Sequence, residues 1–228
     1  DDDPLIEYVD DCPESKLTYG TEMVLVKDGK RMDDGALPNV APQFNTAAYT
    51  HDNSLAALYL NFQDGDTVTV NGFVNLNEVA FVGLVDGATH RVSVGFAAET
   101  VLFNDDDSRA VILSRSQVAV VNLANASATC EAWSVCVTYP LTLDSDQAVV
   151  PSGVVLVEDG SYALVSVSGK KDVYVLDLVN ESIDLLELEA VPSAMVDDKV
   201  NGRTVFVYAN SARADVVDPP FFELRSVT

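Results

Sequence analysis

The chain has 228 residues, 36 of them acidic and 13 basic, for a formal charge of −23 at pH 7. Nothing in it supplies the clustered Lys and Arg that phosphate backbones or anionic lipid surfaces require, so no nucleic-acid partner is expected. Apolar runs such as Val79–Val85 fall far short of the roughly 20 residues that cross a bilayer as a helix, and no membrane span is expected.

Residues 1–45 are the least regular part. Candidate strands Leu5–Val9 and Met23–Val26 flank Cys12-Pro13, and the loop Lys27-Asp-Gly-Lys30 resembles the turn Glu158-Asp-Gly-Ser161. Asp33-Asp-Gly35 through Pro38 and Pro42 reads as a long turn or linker. The segment is either an irregular N-terminal piece or a divergent first copy of the unit that follows. It opens on Asp1-Asp-Asp-Pro4 without the charged and apolar regions of a signal peptide. Any such signal is expected to have been removed or to lie outside the sequence.

From Asn45 onward the chain repeats itself. A turn, then Ser, any residue, Ala and an apolar run recur as Asp52-Asn-Ser54-Leu-Ala56, Asp106-Asp-Ser108-Arg-Ala110 and Asp159-Gly-Ser161-Tyr-Ala163. From Ser54 to Ser108 is 54 residues, and from Ser108 to Ser161 is 53. A looser copy, Asn201-Gly-Arg-Thr-Val-Phe-Val-Tyr208, follows after about 42 more. Second apolar strands return downstream at Val118–Leu123, Val173–Leu178 and Ala214–Asp218. Four short strands in a period of roughly 40 to 50 residues form the pattern of a propeller blade.

The predicted units are 46–99, 100–151, 152–191 and 192–228. In the first, Ala56–Leu60 and Thr67–Val70 are predicted strands. Its tail from Asn71 to Phe96 is longer than the others and predicts an extra hairpin or an inserted loop, either a binding loop or plain decoration. The second unit places its fourth strand within Cys130–Tyr139, and the third places its outer strand at Ile183–Leu188. The fourth closes with Phe221-Phe-Glu-Leu224 after Asp218-Pro-Pro220.

Ser152–Leu178 runs from an apolar strand through the Asp-Gly turn, a second apolar strand and a polar turn to Val-Tyr-Val-Leu-Asp-Leu. It resembles a blade of the YVTN and WD40-like β-propellers, a repeat type of many bacterial and archaeal surface proteins, and the resemblance covers about Asn45–Val227. It implies an all-β propeller of about four to five four-stranded blades. The repeat, the acidic balance and the absence of a catalytic nucleophile lead us to expect a non-catalytic domain of an exported or cell-surface protein, which binds a ligand or protein partner or assembles with further segments of its parent chain. Each blade needs both apolar faces covered. An array ending in Phe221–Leu224 therefore leads us to expect a ring completed by a longer parent chain or a second polypeptide. The alternative is a self-closed five-bladed ring with residues 5–26 between the first and last units.

Cys130 and Cys136 sit at either end of a short loop and are a predicted disulfide, with free buried thiols as the alternative; Cys12 is left over. An extracytoplasmic location, secreted, periplasmic or at the cell surface, goes with this reading. Trp133 between the two cysteines reads as packing against the bridge, with ligand stacking as the alternative. The sequons Asn125-Ala-Ser127 and Asn180-Glu-Ser182 each begin two residues after an equivalent Leu and read as turn chemistry.

His51 and His90 are the only histidines, and His51 reads as an ordinary turn residue. The sequence has no G-x-S-x-G elbow, glycine-rich phosphate loop or H-E-x-x-H pair, so no catalytic or cofactor-binding residue is assigned. Asp64, Asp66, Asp105, Asp107, Asp144 and Asp146 are the candidate calcium ligands, with solvated turn acids as the alternative. Calcium takes about six to eight oxygens, and none of these segments completes the spaced loop that supplies them locally. Convergence of such acids on one axial ion would favour the alternative function, a calcium-dependent propeller hydrolase or lactonase.

Overall fold

The computed structural model describes residues 26–27, 30–31, 44–61, 76–123, 130–142, 149–209 and 211–227. The described elements are all strands. A short hairpin pairs β1 (Val26–Lys27) with β2 (Lys30–Arg31), Lys27 opposite Lys30. The rest fall into four antiparallel sheets, each of four strands consecutive in the chain.

Sheet I holds β3 (Thr46–Tyr49), β4 (Leu55–Tyr59), β5 (Glu78–Gly83) and β6 (Thr89–Ser93). Sheet II holds β7 (Ala98–Phe103), β8 (Arg109–Ser114), β9 (Gln117–Asn122) and β10 (Ser134–Pro140). Sheet III holds β11 (Pro151–Val157), β12 (Tyr162–Val167), β13 (Asp172–Asp177) and β14 (Ser182–Glu187). Sheet IV holds β15 (Ala194–Asp198), β16 (Arg203–Val207), β17 (Ala214–Asp218) and β18 (Glu223–Val227). No described helix is long and apolar enough to cross a membrane.

The second and third strands of sheets I to III are nearly continuous apolar runs rather than alternating ones, because both of their faces are covered. In β8, for example, Ala110 and Ile112 belong to the layer between sheets I and II, while Val111 and Leu113 belong to the layer between sheets II and III. Three such layers stack the four sheets in series. In the first, Ala57, Tyr59 and Phe81 of sheet I meet Ala110, Ile112 and Val121 of sheet II. In the second, Val111, Leu113 and Val120 meet Ala163, Val165 and Leu176. In the third, Leu164 and Val175 meet Phe206 and Val217. We call the face turned to the following sheet the leading face and the other the trailing face.

Two sequence expectations need correction. The tail from Asn71 to Phe96 is not an extra hairpin, since it supplies β5 and β6, the third and fourth strands of sheet I. Val79–Val82 is buried on both faces and pairs with β4, which makes it the true return strand. The additional length lies between Tyr59 and Glu78, and Thr67–Val70 falls outside the described residues. The final strand begins at Glu223, not at Phe221. Prolines 219 and 220 have no N–H to offer a ladder, so the turn extends past them and pairing resumes at Asp218 opposite Glu223. Phe221 is left exposed in that turn, while the Phe222 ring meets Tyr162 edge-on at 5.1 Å.

Candidate functional site: the axial mouth

Residues 51–54, 105–108, 158–161 and 199–202 link the first and second strands of each sheet, and in the first two of them the Asp-x-Ser signature is the wiring. Asp52 Oδ1 accepts from the Ser54 backbone N–H and from the Thr50 hydroxyl, each at 2.8 Å. Asp106 Oδ1 accepts from the Ser108 N–H at 3.0 Å and the Asn104 amide at 2.7 Å. These bonds close Asx turns. They also stabilise the charged form: bonds from the Ser54 backbone and side chain and from Thr50 hold Asp52 below the usual carboxylate range, and bonds from Ser108 and Asn104 do the same for Asp106. The third residue of each of the first three turns is left-handed, with φ of 56° at Asn53, 56° at Asp107 and 81° at Gly160.

That third position also reaches back to the previous turn. Asp107 accepts from the His51 backbone N–H at 3.0 Å and the Asp52 N–H at 3.1 Å, with the His51 ring Nδ1 at 2.8 Å. Gly160 does it by contact, lying so close to Asn104 that a Cβ would sit 2.5 Å from the Asn104 Cβ.

The first residue of each turn, His51, Asp105, Glu158 and Lys199, crowns an axial cavity. First strands of all four sheets contribute to a space of about 310 Å³, among them Tyr49, Phe103, Leu156 and Asp197. A mouth of about 180 Å³ adds Glu158, Asp159 and Gly202 and shares Asp105, Asp197 and Lys199 with the deeper space. Lys199 Nζ donates to Asp105 Oδ1 at 3.1 Å. Burial pushes the Asp197 carboxyl up, the Lys199 charge opposes this, and the nearby Asp105 and Asp198 charges add to the rise.

Asp197 stands where the other sheets carry Tyr49, Phe103 and Leu156, and its register partner Thr204 stands where they carry Ala56, Ala110 and Ala163. The Thr204 hydroxyl is buried and has no hydrogen-bond partner among the described residues. Sequence reasoning passed over both. The signal was the loss of the apolar–Ala pair in the fourth copy alone, a local rule broken at one site.

No protein-family model matches the sequence, and no curated protein does. Solved structures share its arrangement. The dihydro-heme d1 dehydrogenase NirN in complex with DHE superposes with a TM-score of 0.58 at 10% identity, over 83% of this chain and 38% of that one. The periplasmic gluconolactonase PpgL of Pseudomonas aeruginosa gives 0.53 at 13% identity, over 81% and 53%. The WD40 repeats of RRP9 give 0.50 at 11% identity, over 79% and 49%. The fold is a β-propeller. The four sheets are its blades, their first strands line its axis, and the chain spans about two-fifths to half of the length of these propellers.

Of the candidate calcium ligands, Asp105 and Asp107 turn to different neighbours, Asp105 to Lys199 and Asp107 to the first blade's turn. Among the described residues no three His, Cys, Asp or Glu side chains gather in a group that could hold a metal ion. Asp64, Asp66, Asp144, Asp146 and Cys12 lie outside the described residues.

A second propeller cavity, about 430 Å³, opens between blades I and II and is lined by Asp52, Asp86, Asp106, Asp107, Leu55 and Trp133 among others. Cys130 and Cys136 are bridged, with Cα atoms 5.3 Å apart. Trp133 lies inside that loop at φ 59° and stacks flat on His90 of the neighbouring blade, centroids 4.0 Å apart and planes within 1°. Its aromatic neighbours are His90 and, with centroids 5.9 Å apart, Phe81, both across the blade interface. Asn180 is bound as the turn reading requires: its N–H and side-chain amide both donate to the Asp177 carboxylate at 2.8 Å. Asn125 falls outside the described residues.

Proposed function

We propose that this propeller is a non-catalytic domain of an exported or cell-surface protein, serving partner binding or assembly through its acidic axial end. The observation that carries the reading is how the repeat acids are used. Asp52 and Asp106 close their own turns, Asp107 fastens one blade to the next and Asp105 is paired with Lys199. Bonded in this way, Asp52 and Asp106 stay charged, and the turns gather that charge at one end of the blades, where it steers a cationic partner. The Cys130–Cys136 bridge supports an oxidising compartment, and a periplasmic protein is among the similar structures.

The second reading, a calcium-dependent hydrolase or lactonase, draws on the likeness to a gluconolactonase and on Asp197, whose raised carboxyl beside Asp105 and Asp198 is the kind of perturbed group that active sites collect. Calorimetric titration with calcium, together with glucono-δ-lactone hydrolysis followed by pH-stat, separates the two. The binding reading predicts no saturable calcium uptake tighter than about millimolar and hydrolysis at the spontaneous rate. Stoichiometric uptake that switches hydrolysis on would overturn it.

A further inference from the structure

The four blades place equivalent residues in register, and this allows one face to be compared with three others. Ala57, Val111, Leu164 and Val205 occupy the same place on the second strand, each opposite its counterpart on the third strand, Phe81, Val120, Val175 and Val216. Two residues further along the second strand come Tyr59, Leu113, Ser166 and Val207. In blades I to III all of these positions are buried, none more than 7% exposed. They form the leading faces on which the next blade packs.

In blade IV the same face is open. Val207 is 39% exposed, Val196 50% and Val227 53%, and Val205 and Val216 are only half-buried. The register sets Val196, Val205 and Val216 in one row and Ala194, Val207, Ala214 and Val227 in the next, so the band crosses the sheet. A charged row borders it: Asp198 opposite Arg203, then Asp218 opposite Glu223, with Arg203 and Arg225 paired to Asp218.

We infer that this band is the docking face for a fifth four-stranded blade supplied from outside these 228 residues. Each of the three existing layers joins a leading face to an apolar trailing face, of small and branched aliphatic side chains such as Ala110, Ile112 and Val121 in the first and of Phe206, Tyr208 and Val217 in the third. The fourth leading face requires the same chemistry. Blade I cannot provide it, because its own trailing residues Ala56, Leu58, Ala80 and Val82 are already buried, with Phe44 and Leu84 packed against them. A second copy in the same head-to-tail sense meets the same obstacle. Two open faces set against each other would join leading face to leading face, which none of the three layers does. The partner is thus a β-sheet with an apolar trailing face of this kind, joined by the contact this chain already makes three times.

The inference deepens the assembly reading and rests on it, but it stands on the sheet face and not on the turn acids. Val207→Cys and, separately, Val216→Cys are introduced into a chain whose Cys12 is replaced by Ser. Maleimide labelling is timed without reductant, with mass in solution measured by light scattering. The probe for the occupant is the same chain extended after Val227 by a second copy of residues 188–227. We expect both cysteines to label quickly in the monomeric 228-residue chain, and the extension to slow labelling at least tenfold and raise the melting temperature. Protection already present in the monomer would show that the chain covers its own face and would overturn the inference. So would protection that grows with protein concentration, the mark of a second copy, or labelling unchanged by the extension. None of these outcomes bears on calcium uptake or lactone hydrolysis, so the function proposed above stands or falls separately.

Discussion

At Gly160 the turn asks for two things that only glycine supplies: a backbone at φ 81° and no Cβ where Asn104 of the previous blade already stands. Ala at this position takes on left-handed strain of about 1 kcal/mol and must also push the Asn104 backbone away. Gly160→Ala is expected to cost about 2 kcal/mol, seen as a lower urea midpoint at unchanged slope. Thr204 points the other way. Its buried hydroxyl lacks a partner, and an apolar group of the same shape removes the penalty without opening a cavity. Thr204→Val should stabilise by about 1 kcal/mol and raise the melting temperature by about 2–4 °C. A loss of stability would mean that the hydroxyl has a partner after all.

Within blade IV, Asp215 is fully buried and held by its neighbours. Tyr208 donates to one carboxylate oxygen, and Ser226 at 2.7 Å and Arg213 at 3.3 Å donate to the other. Burial pushes this carboxyl up, but the three donors and the Arg213 charge outweigh it and hold it below 3.8, the ordinary Asp value. The sign follows. Below about pH 4 the unfolded chain takes up the proton first, so this stabilisation is present at neutral pH and is lost as pH falls through the folded value. Asp215→Asn should cost about 3 kcal/mol at pH 7, with the difference from the parent shrinking toward pH 3. A difference constant from pH 7 to 3 would contradict this assignment.

What the sequence made legible at this scale follows from burial. Val118–Leu123 and Val173–Leu178 could be read as strands because both their faces are covered and the apolar run shows plainly. Outer strands are weakly marked: β14 and β18 are mostly exposed, so composition alone placed the last strand two residues early. The stack of Trp133 on His90 joins residues from different blades, which no local pattern encodes. The axial mouth was legible in part. Its turn acids carry the repeat, while Asp197 lies outside the repeated signature and Thr204 stands in the looser fourth copy where the other units have Ala.

For the whole molecule, a charge of −23 means that the acids repel one another across one surface. Salt screens that repulsion, so the melting temperature should rise along an NaCl series at pH 7. A flat or falling series would contradict a stabilising role for screening. Acidification relieves the same repulsion while it weakens Asp215, so stability is expected to peak near pH 5 and fall steeply below 4. Against these charges stand three apolar layers and one open face, where covering each Val fully would contribute about 1.5–3 kcal/mol. Four blades stack in series and the fourth leading face is uncovered. A methyl-selective NOE spectrum of the purified chain tests that directly: cross-peaks should link blades I and II through Val79 and Ile112, II and III through Leu113 and Val165, and III and IV through Leu164 and Val217. None should link Val205, Val207 or Val216 to Ala56, Leu58 or Val82, and peaks between those two sets would mean a ring closed on four blades and contradict the account.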